Sequence, residues 1–195
     1  MSNWISHPLI LEGNKVKLVP LEKEHFSNLL EIAKDGKIWE HMPIDWLGKK
    51  DLNEVLTEAI SFRDAGQQYP FVVIDKVTNK VIGSTRFLKI SQDFKNLEIG
   101  WTWYNPAYWG NGFNKECKFL LLQYCFEVLG TISVYLGTRD TNIRSQKAIE
   151  SIGAKYEGIL RNRIISHGVK KSFAMYSIID EEWPEVKNKL KLLLH

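Results

Sequence analysis

What this chain lacks narrows its chemistry first. It holds two cysteines, Cys117 and Cys125, too few for a disulfide framework. Both fall on one predicted helix and read as reduced core thiols. Its five histidines show no paired spacing, so no metal site is expected. No apolar run approaches the ~18 residues of a membrane span, and residues 1–11 lack a charged segment leading into an apolar one. The expectation is a cytoplasmic protein with no membrane partner. Internal repeats and low-complexity linkers are absent. A net charge of +3 is small: it permits an anionic ligand and predicts no nucleic-acid partner. No Lys-Ser/Thr pair follows Gly112, which excludes a Walker loop, and the dinucleotide fingerprint G-x-G-x-x-G is missing.

What is present is enough chain for one ordinary core. At 195 residues and 44% hydrophobic content, a single domain over 1–195 is expected, closed by a C-terminal helix over 181–195. Val16 to Val19 alternates and is stopped by Pro20, a first strand. Phe26, Leu29, Leu30 and Ala33 recur at helical spacing within 22–34, and Leu52, Val55, Leu56, Ala59 and Ile60 do so within 51–63. An aromatic-rich loop over 36–50 holds Trp39, His41, Met42 and Trp46. Three strands follow, over 70–75, 81–90 and 97–104. A mostly buried helix spans 113–129, a strand 133–138, and a helix 142–151 that Gly153 closes. Two strands over 155–165 and 171–179 complete the order β-α-α-β-β-β-α-β-α-β-β, a mixed α/β plan. The tail stripe Trp183, Val186, Leu190 and Leu193 can pack within the chain or across a homodimer, so both monomer and homodimer stay open.

The richest stretch is a strand, Leu97 to Tyr104, that passes through Asn105-Pro106-Ala107-Tyr108-Trp109-Gly110-Asn111-Gly112 into the helix opening at Phe113. The first N–H groups of a helix have no internal partner, and the dipole adds partial positive charge there. Closely spaced glycines let the backbone approach a phosphate. The segment reads as a pyrophosphate cradle with one carboxylate, Glu98, upstream as a potential base. A strand-to-helix turn that merely needs glycine explains the pair Gly110 and Gly112 equally well.

On these residues the chain resembles the GNAT superfamily of acetyl-CoA-dependent N-acetyltransferases, in its RimJ/RimL-like branch, over nearly the whole length from Leu11 to about Asp180. The family's turn pattern, Gln/Arg-x-x-Gly-x-Gly/Ala, reads here Ala107-Tyr108-Trp109-Gly110-Asn111-Gly112. The glycines match, and Ala107 departs. Asn142-Ile143-Arg144-Ser145 ahead of Gly153 is similar to the family's Asn-x-x-Ser segment. The resemblance implies a mostly antiparallel twisted sheet of about six to seven strands flanked by helices, its central strands splayed. It implies acetyl-CoA as co-substrate and an amine acceptor. The cofactor would be held by Thr102, Trp103 and Tyr104, by Trp109, Gly110, Asn111, Gly112, Phe113 and Asn114, and by Asn142 and Ser145.

The resemblance assigns Glu98 as general base and lets the Ser145 hydroxyl reach the leaving thiolate. Many relatives carry a tyrosine four residues beyond Ser145; Ile149 stands here, which excludes that general acid. A carboxylate proposed on the penultimate strand of some relatives corresponds to Ile164. Trp101, Trp39 and His41 would border the acceptor. Each has a plainer reading: Asn142 as a helix cap, Glu98 as a solvent-facing strand residue, and the tryptophans as core. Direct transfer in a ternary complex is expected, because both cysteines sit on the buried helix. A non-catalytic acyl-CoA-binding module is the alternative.

Overall fold

The computed structural model describes residues 4–40, 42, 51–166 and 168–194. In chain order the elements are β1 (Leu11–Glu12), β2 (Val16–Pro20), α1 (Phe26–Ala33), α2 (Leu52–Asp64), β3 (Tyr69–Asp75), β4 (Lys80–Ser91) and β5 (Asn96–Tyr104). Then come α3 (Phe113–Tyr124), β6 (Ser133–Arg139), α4 (Ile143–Ser151), β7 (Lys155–Ser166), β8 (Val169–Ile179) and α5 (Trp183–Leu194). One eight-stranded sheet has the order β1-β2-β3-β4-β5-β6-β8-β7. It is a mixed, mostly antiparallel sheet flanked by helices, as the sequence implied. The eighth strand is β1, whose two residues are too few to show alternation. Pro20 ends β2 opposite Phe71, beyond the residues that pair with β1, so no ladder bond needs its missing N–H.

Each face of the sheet carries its own core. Val16, Leu18, Phe71, Phe87, Leu97 and Ile99 pack on one side against Cys117, Leu121 and Leu122 of α3, Ile149 of α4 and Leu190 of α5. Val72 and Trp103 pack on the other against Leu29 of α1 and Leu56 and Ala59 of α2. The helix predicted over 113–129 is α-helical to Tyr124, then takes one π turn to Leu129 before Gly130 closes it at φ +63°. Both cysteines on it are free and buried, as expected. The C-terminal helix packs within the chain: Trp183 stacks on Phe126 at 5.2 Å, and its Nε1 donates to Glu127 at 2.9 Å. Gly153 makes room for it, because a Cβ there would lie 2.9 Å from Val186. Leu193 stays half exposed at 48%, outside the stripe assigned to it.

Two departures from regular pairing position the site. First, β5 and β6, joined as a parallel pair, meet only at Asn96, Leu97 and Glu98 against Ser133, Val134 and Tyr135. Beyond Glu98, β5 follows β4 to Tyr104 while β6 follows β8 to Arg139, so the sheet opens into a cleft. Second, β5 bulges. Arg86 pairs with Gly100 and Ser84 with Trp103, leaving Trp101 and Thr102 opposite Thr85 alone. Trp101 sits at φ +51°, a left-handed conformation that costs a bulky residue about 1–3 kcal/mol. Thr85 secures the bulge: its hydroxyl meets that of Thr102 at 2.8 Å. The Arg86 guanidinium lies 4.6 Å over the Trp101 ring.

Candidate functional site

A cavity of about 550 Å³ occupies the opened cleft. Glu98, Trp101, Thr102, Trp103 and Tyr104 of β5 form one wall, and Leu136, Gly137, Thr138 and Arg139 of β6 the other. Gly110, Gly112 and Asn114 stand at its mouth, with Asn142, Arg144 and Ser145 facing them from α4. The sheet divides it by chemistry. Leu97 and Ile99 point to the α3–α4–α5 face, so strand alternation turns Glu98 to the α1–α2 face. Lys118, on α3, enters from the opposite side.

The mouth is a glycine turn between β5 and α3. Asn105 accepts a bond from Ala107 N at 3.0 Å and starts a turn containing Pro106. Gly110 and Gly112 then adopt φ +80° and +84°, which only glycine enters at no cost. Gly112 caps α3, and its carbonyl accepts from Glu116 N at 3.1 Å. The amides of Phe113, Asn114 and Lys115 precede that first bond and stay without helical partners. Lys15 reaches the same loop, its Nζ 3.4 Å from the Asn111 carbonyl.

Glu116 fixes where this helix starts. Its buried carboxylate accepts from Asn14 N, Lys15 N and Val16 N, each at 2.8 Å. A Cβ on Gly13 would fall 2.7 Å from its Cδ, so glycine lets the turn before β2 lie against α3. Charged hydrogen bonds of this kind contribute about 1.5–3 kcal/mol each when none is left unpaired.

On β5, residues past Glu98 have no β6 partner, so backbone groups on that edge face the cleft. One is already engaged: the Tyr104 carbonyl accepts from Trp109 Nε1 at 3.2 Å. The Tyr104 side chain itself is buried, and burial pushes its pKa well up. The Glu98 carboxylate is 13% exposed and ion-paired with Lys89 through Oε2. Its Oε1 takes no hydrogen bond among the described residues.

Asn142 caps α4, accepting from Ser145 N at 3.1 Å. Both the cap role and a place on the cavity therefore hold for it. Ser145 lines the cavity, and its hydroxyl makes no hydrogen bond to the described residues.

Three assigned residues lie off the wall. Trp39 is buried one layer back, 5.6 Å from Trp103, with its Nε1 donating to Ala33 O at 2.7 Å; Ile38 and Met42 take its place on the cavity. The core reading of Trp39 therefore stands over the acceptor-lining one. The Phe113 ring packs edge-on against Tyr108 at 5.1 Å, and the Asn111 side chain turns back to the Ala107 carbonyl. For these two, only backbone groups are available to a ligand. His41 and Trp46 lie outside the described residues. Ile164 is a β7 residue opposite Lys171, and Glu157 accepts from Ser177, so neither brings a carboxylate to the cleft.

Several lining cations escaped the sequence reading. Lys115, Lys118, Arg139 and Arg144 face one carboxylate, Glu98. Arg144 stacks on the Trp109 ring at 4.1 Å and spans the cleft between α4 and the glycine turn. Arg139 donates to the Met42 carbonyl and to Ser166, each at 2.6 Å. Lys118 is buried, and its Nζ donates to Thr102 at 2.7 Å. Burial lowers its pKa to about 8. Its sequence signal was present: with Asn114, Leu121, Leu122 and Cys125 it shares a stripe at helical spacing that otherwise faces the core.

Comparison with known proteins agrees with this geometry. Residues 15–155 match the acetyltransferase (GNAT) domain family. The chain is 27% identical to an uncharacterized N-acetyltransferase, p20, of Bacillus licheniformis over 89% of its length and 97% of that protein. A crystal structure of a GCN5-related N-acetyltransferase from Brucella melitensis superposes with a TM-score of 0.86 at 26% identity, covering 97% of this chain and 87% of that one. Mycobacterium smegmatis RimJ, solved in complex with CoA-disulfide, shares the fold with a TM-score of 0.84 at 16% identity, over 96% and 95% of the two chains. With most of its length matched, this chain belongs to the GNAT acetyltransferase family.

Proposed function

We propose that this single domain moves an acetyl group from acetyl-CoA to a primary amine, either a protein N-terminus or a small-molecule amine, by direct transfer in a ternary complex. A place in the RimJ/RimL-like branch is part of the proposal. The observation that carries it is the cleft between β5 and β6 opening onto two left-handed glycines at the start of α3. An elongated ligand with an anionic end fits that shape: the diphosphate against the amides at 113–115, the thin arm along the β5 edge.

Each residue then has a task. Gly110 and Gly112 admit the diphosphate, with Lys15 and Arg144 adding charge nearby. Amide and carbonyl groups of Thr102 and Trp103 meet the pantetheine amides, and an N–H at this level stabilises the oxyanion. Asn142 holds the arm from α4 through its side-chain amide, while the Ser145 hydroxyl faces the sulfur. Glu98, on the other face, takes the amine proton directly or through water. An α-amine near pKa 8 costs about 1.4 kcal/mol to deprotonate at pH 7, whereas a lysine amine near 10.4 costs roughly 4–5 kcal/mol. A lone carboxylate suits the first better. Trp101 and Met42 border the acceptor. Most of the rate comes from positioning.

The test is thiol release from acetyl-CoA in the presence of an amine panel that includes peptides with free N-termini and polyamines. Amine-dependent turnover supports the proposal. Tight CoA binding without turnover on any amine supports the acyl-CoA-binding module instead.

A further inference from the structure

Two α3 cations line the cavity, Lys115 and Lys118, and Lys118 is the buried one. It is 6% exposed. Its ammonium has three N–H donors, and the Thr102 hydroxyl is their one acceptor among the described residues. That hydroxyl meets Thr85, which ties the chain to the bulge. A buried cation normally saturates its donors or gives up its charge. Here two N–H groups remain for something that enters the cavity.

The faces of the sheet say what that is. The acceptor amine must approach from the α1–α2 face, where Glu98 sits. With the amine on that face, the α3–α4 face of the cavity stays open to the departing sulfur. At this level the family's tyrosine position is Ile149, which cannot give a proton. Ser145 offers a hydroxyl, but a neutral alcohol is a weak acid beside an ammonium.

We propose that Lys118 is a catalytic residue that stabilises the departing CoA thiolate and protonates it. The proposal rests on acetyl-CoA occupying the cleft as described above. The neutral amine attacks the thioester carbonyl, forming the N–C bond and placing the π pair on oxygen. The carbonyl re-forms, the C–S bond breaks and its electron pair stays on sulfur. An Nζ proton of Lys118 passes to that sulfur, giving the thiol. The second amine proton leaves to Glu98 or water, and neutral Lys118 regains a proton from solvent after release.

Acidity suits the transfer. Burial brings the Lys118 pKa down to about 8, close to that of an ordinary thiol at about 8.5, so the proton moves without a large penalty either way. Among the described residues, Cys117 is the titratable group whose charge acts on Lys118, and burial pushes its own pKa up, so it is neutral at pH 7. Tyr104, on β5, is likewise neutral. Glu98, Lys115, Arg139 and Arg144 share the cavity and act on the wild type and on Lys118 variants alike.

The probe is CoA itself, with its thiolate followed by ultraviolet absorbance during a pH titration and desulfo-CoA as the blank. Free thiol near pKa 8.5 is ~10% ionised at pH 7.5. Bound to wild-type protein, the thiolate fraction should rise about fivefold. Lys118→Met should return it to the free value or below. Lys118→Arg should keep part of the rise but lose turnover, since a guanidinium holds its protons. A bound thiol that titrates like free CoA in the wild type, or a rise that survives Lys118→Met, overturns the proposal. If Lys118→Met does not fold, the wild-type titration and Lys118→Arg decide. A role confined to fastening the bulge would change affinity and stability without moving the thiolate fraction. CoA that fails to bind at all removes the cleft reading as well, whereas CoA that binds with an unshifted thiol removes only the role of Lys118.

Discussion

Gly110 offers a clean measure of the glycine turn. Its φ is +80°, and a Cβ added there meets nothing within 4 Å. Substitution by alanine therefore brings no clash, only backbone strain. A Cβ in the left-handed region costs about 1–2 kcal/mol. Alanine also restricts the unfolded chain, which returns about 0.5 kcal/mol. The net expectation for Gly110→Ala is a loss of roughly 1 kcal/mol, or about 2–4 °C in Tm for a chain of this size.

The loop has a second way to respond, which is to relax out of the left-handed state. Stability is then spared, but the amides at 113–115 turn away and the ligand must restore them. The same strain appears as weaker CoA binding, about tenfold for each 1.4 kcal/mol. The two losses are complementary, and their sum should stay near 1 kcal/mol. Thermal melting and calorimetry with CoA, on wild type and Gly110→Ala, measure both. Gly110→Asn should lose less than alanine, because asparagine tolerates this conformation. An alanine variant with unchanged melting and unchanged CoA affinity would refute the strain argument.

Two further outcomes follow from particular contacts. Glu98→Gln should lower kcat about 10²-fold at saturating substrates; an unchanged kcat would show that another group takes the proton. Glu127 is taken partly out of water, which opposes its charge, but Lys187, Gln123 and Trp183 outweigh this and hold its pKa down to about 2. A depressed carboxylate stabilises the fold above its unfolded pKa and loses that contribution as pH falls through the folded value. Its side chain is 33% exposed, so screening leaves about 1 kcal/mol. Glu127→Gln should therefore melt a few degrees lower at pH 7, with the gap closing between pH 4.5 and 2. A gap independent of pH would contradict the ion-pair account.

The elements legible beforehand were those with a period or a breaker. The 113–129 helix showed two apolar stripes, the 142–151 helix its stop at Gly153, and Leu97 to Tyr104 the run into a glycine turn. All are present within a residue or so, the π turn after Tyr124 aside. The two-residue β1 had no pattern to read. Trp39 could not be told from a wall residue, because an aromatic loop residue looks alike whether it faces a cavity or a core. The bulge at Trp101 depends on the mismatch with Thr85 across the sheet, which no local pattern in β5 encodes. Arg144 and Arg139 reach the cleft only because α4 and β6 converge on it. Lys118 was readable: a lysine in a buried stripe asks for a partner, and Thr102 supplies it.

Isothermal titration of the folded protein with CoA is the most direct examination of the account. Saturable heat at one CoA per chain, carried by the phosphates rather than by the thiol, is the predicted result. A flat titration at millimolar CoA, from protein that still melts cooperatively, would contradict it.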